Sequence, residues 1–188
     1  MLIHTDDIRE FRPVAENLDD VSRLEPYVKE VENLRIIDVL GASLYQWLDG
    51  TDFNGEGPFV YVNPRKEEVT ITKDQYIEIM RGGYFTSDCG DCSGGNAPGL
   101  IAAISYLTYA RFLINNPITV TAFGVKYKTT QYSQNVDDYV LIRASNDARK
   151  IGEAYLAKSV EQLKAFGLLD CRKYRPNGKY HAFGKKGI

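Results

Sequence analysis

Two cysteines separated by two residues form the most chemically suggestive pattern in the chain. Cys89-Gly-Asp-Cys92 has the spacing of a zinc knuckle or of a redox-active dithiol. Cys171 and His181 could supply two further zinc ligands, but their distance along the chain matches no standard zinc spacing. A redox pair is typical of a strand-to-helix junction, a condition that these cysteines meet only loosely. Unpaired loop thiols are therefore the favoured interpretation, and we expect neither a metal nor another cofactor.

Other residue types that could carry catalysis lack the required context. The glycine pairs Gly82-Gly83 and Gly94-Gly95 fit neither of the usual phosphate-binding patterns after a strand. The paired carboxylates fall at predicted element boundaries, where a helix N-terminus favours negative charge. Both histidines lie in terminal segments, so a histidine-based triad is not expected. The sequence therefore predicts a protein that is not an enzyme.

Residues 171–188 combine basic and aromatic side chains without periodicity. Alone, such a segment cannot bury enough apolar area to offset its ordering entropy, so we expect a flexible tail that orders only against a partner. Its cations and rings could contact nucleic acid through phosphates and stacking, although a solvated or protein-docking tail is the favoured alternative. The predicted tail contacts are Arg172, Lys173, Arg175, Lys179 and Tyr180.

The overall composition indicates one globular domain over residues 1–170. A chain of 188 residues with 44% hydrophobic residues can bury a substantial core. The net charge of −2 gives no global signal for nucleic-acid binding. Three cysteines argue against a disulfide framework and for a reducing compartment. We find no signal peptide and no apolar window of membrane-spanning length, so cytosolic synthesis without a membrane partner is expected.

Hydrophobic periodicity predicts a mainly α protein, formally α+β: a helical bundle with a long C-terminal helix and a small β insertion. Strands at 59–62 and 69–72 should form a hairpin, whereas residues 84–98 should form a loop rather than an element. A second β segment, near 118–130, shifts its apolar phase at Gly124, which predicts a bulge or a sharp change of direction. We expect helices at residues 5–11, 21–31, 34–48, 73–81, 99–116 and 137–166. Thr72 and Gln75 have capping-box spacing before the helix at 73–81.

The helix at 99–116 is apolar on nearly all sides, so it must be covered on nearly all sides, either within the monomer or by a neighbour. The helix at 137–166 should be the longest, at roughly 45 Å. Its predicted inward face comprises Val140, Ala144, Ala148, Ile151, Tyr155, Val160 and Leu163.

Three segments, in the same order, resemble the head-tail connector or ring proteins of tailed phages that infect gut Bacteroidetes, the crAss-like group in particular. The first is the helical segment ending Ile37-Asp-Val-Leu-Gly-Ala-Ser-Leu-Tyr-Gln-Trp-Leu48. The second is Gly82-Gly-Tyr84, a polar loop, and then Gly99-Leu-Ile-Ala-Ala-Ile-Ser-Tyr-Leu-Thr-Tyr-Ala-Arg-Phe-Leu113. The third is Thr121-Ala-Phe-Gly-Val-Lys-Tyr-Lys128, with Tyr132-Ser133 before the long helix.

The resemblance implies a virion structural role at the head-tail junction, after synthesis in the bacterial host cytoplasm. Such connectors form a ring, commonly a dodecamer, beneath the portal protein. The ring would extend the DNA channel, touch the passing DNA without sequence specificity, and offer a platform to the next tail protein. The Cys89 and Cys92 pair is not part of that pattern. The alternatives are a small metal-binding Cys-x-x-Cys protein and a nucleic-acid-binding accessory protein.

A closed ring would cover both an over-apolar helix and a strand with free edges through head-to-tail contacts. We therefore expect strand addition between neighbouring subunits, with Phe123→Asp changing the oligomer mass. The predicted interface residues are Thr119, Thr121, Phe123, Gly124, Lys126, Tyr127 and Lys128.

Overall fold

The computed structural model describes residues 1–11, 21–52, 55, 57–86, 94–115, 118–121, 124–127 and 138–170. Within these ranges the protein is mainly α with small two-stranded antiparallel sheets and a long C-terminal helix, which confirms the predicted fold class. The helices are α1 Thr5–Phe11, α2 Val21–Val31, a π-helical turn Glu32–Ile36, α3 Ile37–Leu40, α4 Ala42–Gly50, α5 Lys73–Arg81, α6 Leu100–Asn115 and α7 Asp138–Ala165. The strands are β1 Phe59–Val62, β2 Glu68–Ile71, β3 Gly83–Phe85, β4 Gly95–Ala97, β5 Ile118–Thr121 and β6 Gly124–Tyr127.

Helix α6 is the centre of the core. Its neighbours are α1, α2, α5 and α7, and both Leu100 and Ile104 are completely buried. The buried cluster extends along the chain from Ile3 to Leu168. The prediction that this apolar helix is covered on most sides is confirmed, and the cover comes from the chain itself.

Helix α7 packs on α6 through small residues. A Cβ atom added at Gly152 would lie 2.8 Å from Cγ of Leu107, so the two helices approach closely only because Gly152 has no side chain. Ser145 donates a 2.9 Å hydrogen bond to the carbonyl of Ala110. Ala148 is also buried against the core. This inward line of small residues packs residues 145–152 of α7 against α6 near Leu107 and Ala110.

The predicted inward face of α7 is therefore wrong at its start. Val140 is 52% exposed, and Ala144 is exposed as well. The inward line runs through Ser145 instead, because close helix packing selects small side chains there rather than the more apolar ones. The later part of the prediction, with Ala148 and Leu163 buried, agrees with the structure.

A single helix over residues 34–48 is also contradicted. Gly41 has φ of +81° and separates α3 from α4, while α2 continues through the π-helical turn into α3. Glycine adopts positive φ without the steric cost that other residues incur. Leu40 and Leu44 are both buried, so the apolar spacing persists across the break and conceals it in the sequence.

Hairpin β1–β2 confirms the first predicted β segment, with Phe59 opposite Ile71 and Val62 opposite Glu68. Helix α5 follows, with the predicted capping box at Thr72 and Gln75.

The predicted loop at 84–98 is wrong at both ends, because β3 and β4 pair with Tyr84 opposite Asn96. Its glycine-rich composition favours a loop, but close backbone packing explains the flanking glycines. A Cβ atom at Gly99 would lie 2.5 Å from the backbone nitrogen of Gly82. Only residues without a side chain fit at this contact, which brings the two short strands together.

Candidate subunit interface

The predicted interface segment forms a hairpin. Strands β5 and β6 are antiparallel, with Thr119 opposite Lys126 and Thr121 opposite Gly124. The chain thus reverses direction beside Gly124, which confirms the predicted change of direction there. Tyr127 also lies in β6. The remaining two predicted interface residues, Phe123 and Lys128, lie outside the described residues.

The outer edges of this hairpin have no strand partner within the described part of the chain, since β5 and β6 pair only with each other. In a hairpin with a two-residue loop, the pair next to the loop exchanges both hydrogen bonds, and the pairs then alternate. By this rule Thr121 exchanges backbone hydrogen bonds with Gly124, and Thr119 exchanges them with Lys126. The backbone N–H groups of the intervening pair, Val120 and Val125, point outward. These outward donors are available to a neighbouring strand.

Exposed apolar side chains lie near the point from which the hairpin leaves the core. Tyr139, Val140 and Ile142, at the start of α7, are 68%, 52% and 52% exposed. The bond from Ser145 to Ala110 fixes this part of α7 beside the end of α6, and β5 begins three residues after α6 ends. One end of the molecule therefore combines apolar surface with strand edges that have no partner in the described ranges, and this combination is typical of a protein interface.

A cleft of about 300 Å³ lies at the same end, between the α2 and π-helical segment, α6 and α7. Arg35 of the π-helical turn makes a bidentate ion pair with Glu153 of α7, with Nε–Oε1 at 3.0 Å and Nη2–Oε2 at 2.6 Å. Arg111 lies 3.4 Å from Glu30, which ties α6 to α2. The apolar lining residues of this cleft are Val31, Leu34, Leu107, Ala110 and Ile114.

A buried carboxylate lies at the start of the π-helical turn. Glu32 is 2% exposed, accepting hydrogen bonds from the Leu2 backbone N–H at 2.7 Å and the Tyr45 hydroxyl at 2.8 Å. Burial, and then the hydrogen bond to Glu32, raise the pKa of Tyr45. Leu2 belongs to the N-terminal segment and Tyr45 to α4. The two hydrogen bonds to Glu32 therefore connect both of these segments to the π-helical turn.

The described residues contain no group of three or more His, Cys, Asp or Glu side chains placed to hold a metal ion. The predicted zinc candidates Cys89, Cys92, Cys171 and His181 lie outside the described ranges. None of the helices described is both long and apolar enough to cross a membrane. The predicted tail contacts Arg172, Lys173, Arg175, Lys179 and Tyr180 also lie outside those ranges.

Two features of this end of the molecule were not identified from the sequence. Leu34 is 63% exposed and Ile114 is 47% exposed, and both line the cleft, although the apolar periodicity of the helix at 99–116 suggested that Ile114 is buried. The sequence does contain one indication, because the helix at 99–116 has more apolar residues than a single buried stripe requires. That Leu34 and Ile114 line the same cleft follows only from the way α2, α6 and α7 pack together.

The described residues define a mainly α protein with exposed apolar side chains at the start of α7 and a small β5–β6 hairpin that follows α6. The sequence profile of a family of unknown function, DUF6712, matches residues 68–179, which is more than half of the 188-residue chain. The protein therefore belongs to this family. The matched region runs from β2 through α7 and excludes α1 to α4 and β1. Neither a curated protein nor a solved structure matches the chain.

Proposed function

We propose that the protein is a structural subunit of a phage particle and forms a head-tail connector ring between the portal and the tail. The proposal rests on the resemblance to crAss-like phage connectors of the three segments that contain α3 and α4, α6, and the β5–β6 hairpin. It is a non-enzymatic function, in which the chain acts through its contacts with other subunits.

The observation that carries the proposal is that the two outer edges of hairpin β5–β6 have no strand partner among the described residues. Exposed strand edges promote uncontrolled pairing, and closure of a ring removes that hazard because each edge meets the next subunit. The outward N–H groups of Val120 and Val125 would bond to a neighbouring strand. The exposed side chains of Tyr139 and Ile142 would be covered in the same contact.

The partners in this function are further copies of the chain, the portal protein and an adjacent tail or ring protein. The passing DNA would contact the channel without sequence specificity. Assembly would follow synthesis in the bacterial host cytoplasm. The zinc-binding and nucleic-acid-binding alternatives depend on residues outside the described ranges, and no observation on the described residues favours them.

The test is negative-stain imaging and native mass spectrometry of the purified chain, alone and mixed with the portal protein of the same phage. We expect the wild-type chain to form rings in at least one of these two samples. Val120→Pro and Val125→Pro each remove one outward N–H without removing a bond inside the hairpin, so at least one of them should abolish rings. The matched controls Val120→Thr and Val125→Thr keep the N–H and should assemble normally.

A wild-type chain that forms no ring, even beside its portal, would contradict the proposed function. Rings that persist in both proline variants would contradict only the strand-pairing mechanism. The comparison between the two proline variants would also identify which edge of the hairpin is used.

A further inference from the structure

The backbone pattern of hairpin β5–β6 determines which residues each outer edge offers to a neighbouring strand. Ile118 stands opposite Tyr127 and Val120 opposite Val125, and these pairs alternate with the pairs that exchange hydrogen bonds inside the hairpin. The outward N–H groups therefore belong to even-numbered residues on β5 and to odd-numbered residues on β6. A neighbouring strand bonds to such an edge only when outward residues stand opposite outward residues.

A ring restricts which edges can meet. An edge that pairs with the same edge of a second copy makes a two-fold contact, whereas a cyclic ring of three or more copies uses two different surfaces at each contact. The β6 edge of one copy therefore meets the β5 edge of the next. In a ring of many copies the rotation between neighbours is small, so β5 of the next copy runs in nearly the same direction as β5 of the first. It is thus antiparallel to β6, as is β5 of the same chain.

Closure of these hairpins into one barrel requires the strands to tilt by about 35–45° and the register to be staggered. Inside the hairpin Thr121 stands opposite Gly124 and Ile118 opposite Tyr127, so the two strands are level: they begin and end together. The whole stagger must therefore arise at the contact between subunits. Because outward residues must stand opposite outward residues, this contact can be shifted only in steps of two residues.

A shift of two residues gives the required tilt. The two strands of one subunit occupy about 9.6 Å around the barrel, and a shift of two residues displaces the strands by about 6.8 Å. The tilt is then roughly 35°, whereas level strands have no tilt and a shift of four residues gives roughly 55°. This result does not depend on the number of copies in the ring, because each copy adds the same width and the same shift.

We propose that β6 of one copy pairs antiparallel with β5 of the next copy, shifted by two residues from the level register, so that all hairpins form one closed barrel. This inference rests on the proposed ring function and specifies the contact that closes the ring. A shift in one direction places Tyr127 opposite Val120 of the partner subunit. A shift in the other direction places Val125 opposite Ile118 of the partner subunit, and in both cases outward residues meet.

The test is disulfide cross-linking between chains that each carry one introduced cysteine and have serine in place of Cys89, Cys92 and Cys171. Directly opposite residues of antiparallel strands have Cα atoms about 4.5–5.5 Å apart, within the range that a disulfide bridges. Residues displaced by two positions lie about 7–8 Å apart, so cross-linking distinguishes the registers. Rings assembled from an equimolar mixture of two variants are oxidised and analysed by non-reducing mass spectrometry.

Each mixture reports one register. Lys126→Cys with Thr121→Cys reports a shift in one direction, and Gly124→Cys with Thr119→Cys reports a shift in the other. We expect disulfide-linked dimers from one of these two mixtures. The matched control, Lys126→Cys with Thr119→Cys, reports level strands and should give no linked dimer.

A second set of variants covers any cysteine chain that fails to assemble before oxidation. Tyr127→Cys with Val120→Cys and Val125→Cys with Ile118→Cys report the same two shifts. Rings that link only in the control mixture, or in no mixture of either set, would overturn the staggered contact and leave the ring function intact. Links between two copies of the same β5 variant would overturn it as well, because they indicate a two-fold contact. A wild-type chain that never assembles, alone or with the portal, overturns both proposals.

Discussion

Gly152→Ala is expected to destabilise the protein, although alanine is the better helix former. The new Cβ atom would lie 2.8 Å from Cγ of Leu107 and 3.1 Å from its backbone nitrogen, well inside normal contact distances. A side chain can rotate away, but a helix backbone cannot. Overpacking of this kind costs about 1–3 kcal/mol, and the gain in helix propensity offsets about 1 kcal/mol.

The net loss of unfolding free energy should therefore be about 1 kcal/mol, which lowers the melting temperature by about 2–4 °C in a chain of this size. Thermal and urea unfolding of the dilute monomer, followed by circular dichroism, measure it. Gly50→Ala is the matched control, because Gly50 ends α4 and a Cβ there meets no atom within 4 Å. We expect no loss of stability from that substitution.

A second variant tests the cause of the loss. Leu107→Ala alone should cost about 2–5 kcal/mol, since Leu107 is only 6% exposed. In that background the penalty of Gly152→Ala should become smaller without vanishing, because the contacts with Cγ and Cδ2 are gone whereas the 3.1 Å approach to the backbone nitrogen of residue 107 remains. Wild-type stability in Gly152→Ala, or an equal penalty in both backgrounds, would refute the argument from close helix packing.

Two further predictions concern an N-cap and an ionisable side chain. Thr72 accepts from the Gln75 backbone N–H at 3.2 Å, so Thr72→Ala should lower the unfolding free energy by about 1 kcal/mol, whereas Thr72→Ser should not; equal losses in urea titrations would contradict the cap. The raised pKa of Tyr45 means that its stabilising contribution is complete below about pH 10 and is lost as the pH rises further. Thermal melts from about pH 9 to about pH 11 should therefore fall less steeply for Tyr45→Phe than for wild type. Burial also raises the pKa of Tyr76, so the melting temperature of Tyr45→Phe should still decrease with pH to some extent. An equal decrease in melting temperature for Tyr45→Phe and wild type would contradict this role for Tyr45.

Local signals along the chain predicted most of the fold. The capping box at Thr72 gave helix α5 with its observed start, and the apolar excess of α6 indicated the core helix. The phase shift at Gly124 indicated the reversal of β5–β6. Each of these signals arises from residues that are close together in the chain, so it can be recognised in the sequence without knowledge of the tertiary structure.

The errors came where contacts between distant segments decide the outcome. The break at Gly41 is invisible because Leu40 and Leu44 keep their apolar spacing across it. The β3–β4 pairing depends on the close approach of Gly82 and Gly99, which no local pattern indicates.

The sequence by itself determined most of the element types, the buried helix at the centre and the β segment that follows it, because propensity and periodicity act locally. Only the tertiary structure decided which apolar residues stay exposed and which surfaces share one end of the molecule. Leu34 and Ile114 illustrate this point, since each belongs to an apolar run but lines an open cleft. The physical reason is that exposure depends on where α2, α6 and α7 cross, which is set by close contacts such as that between Gly152 and Leu107.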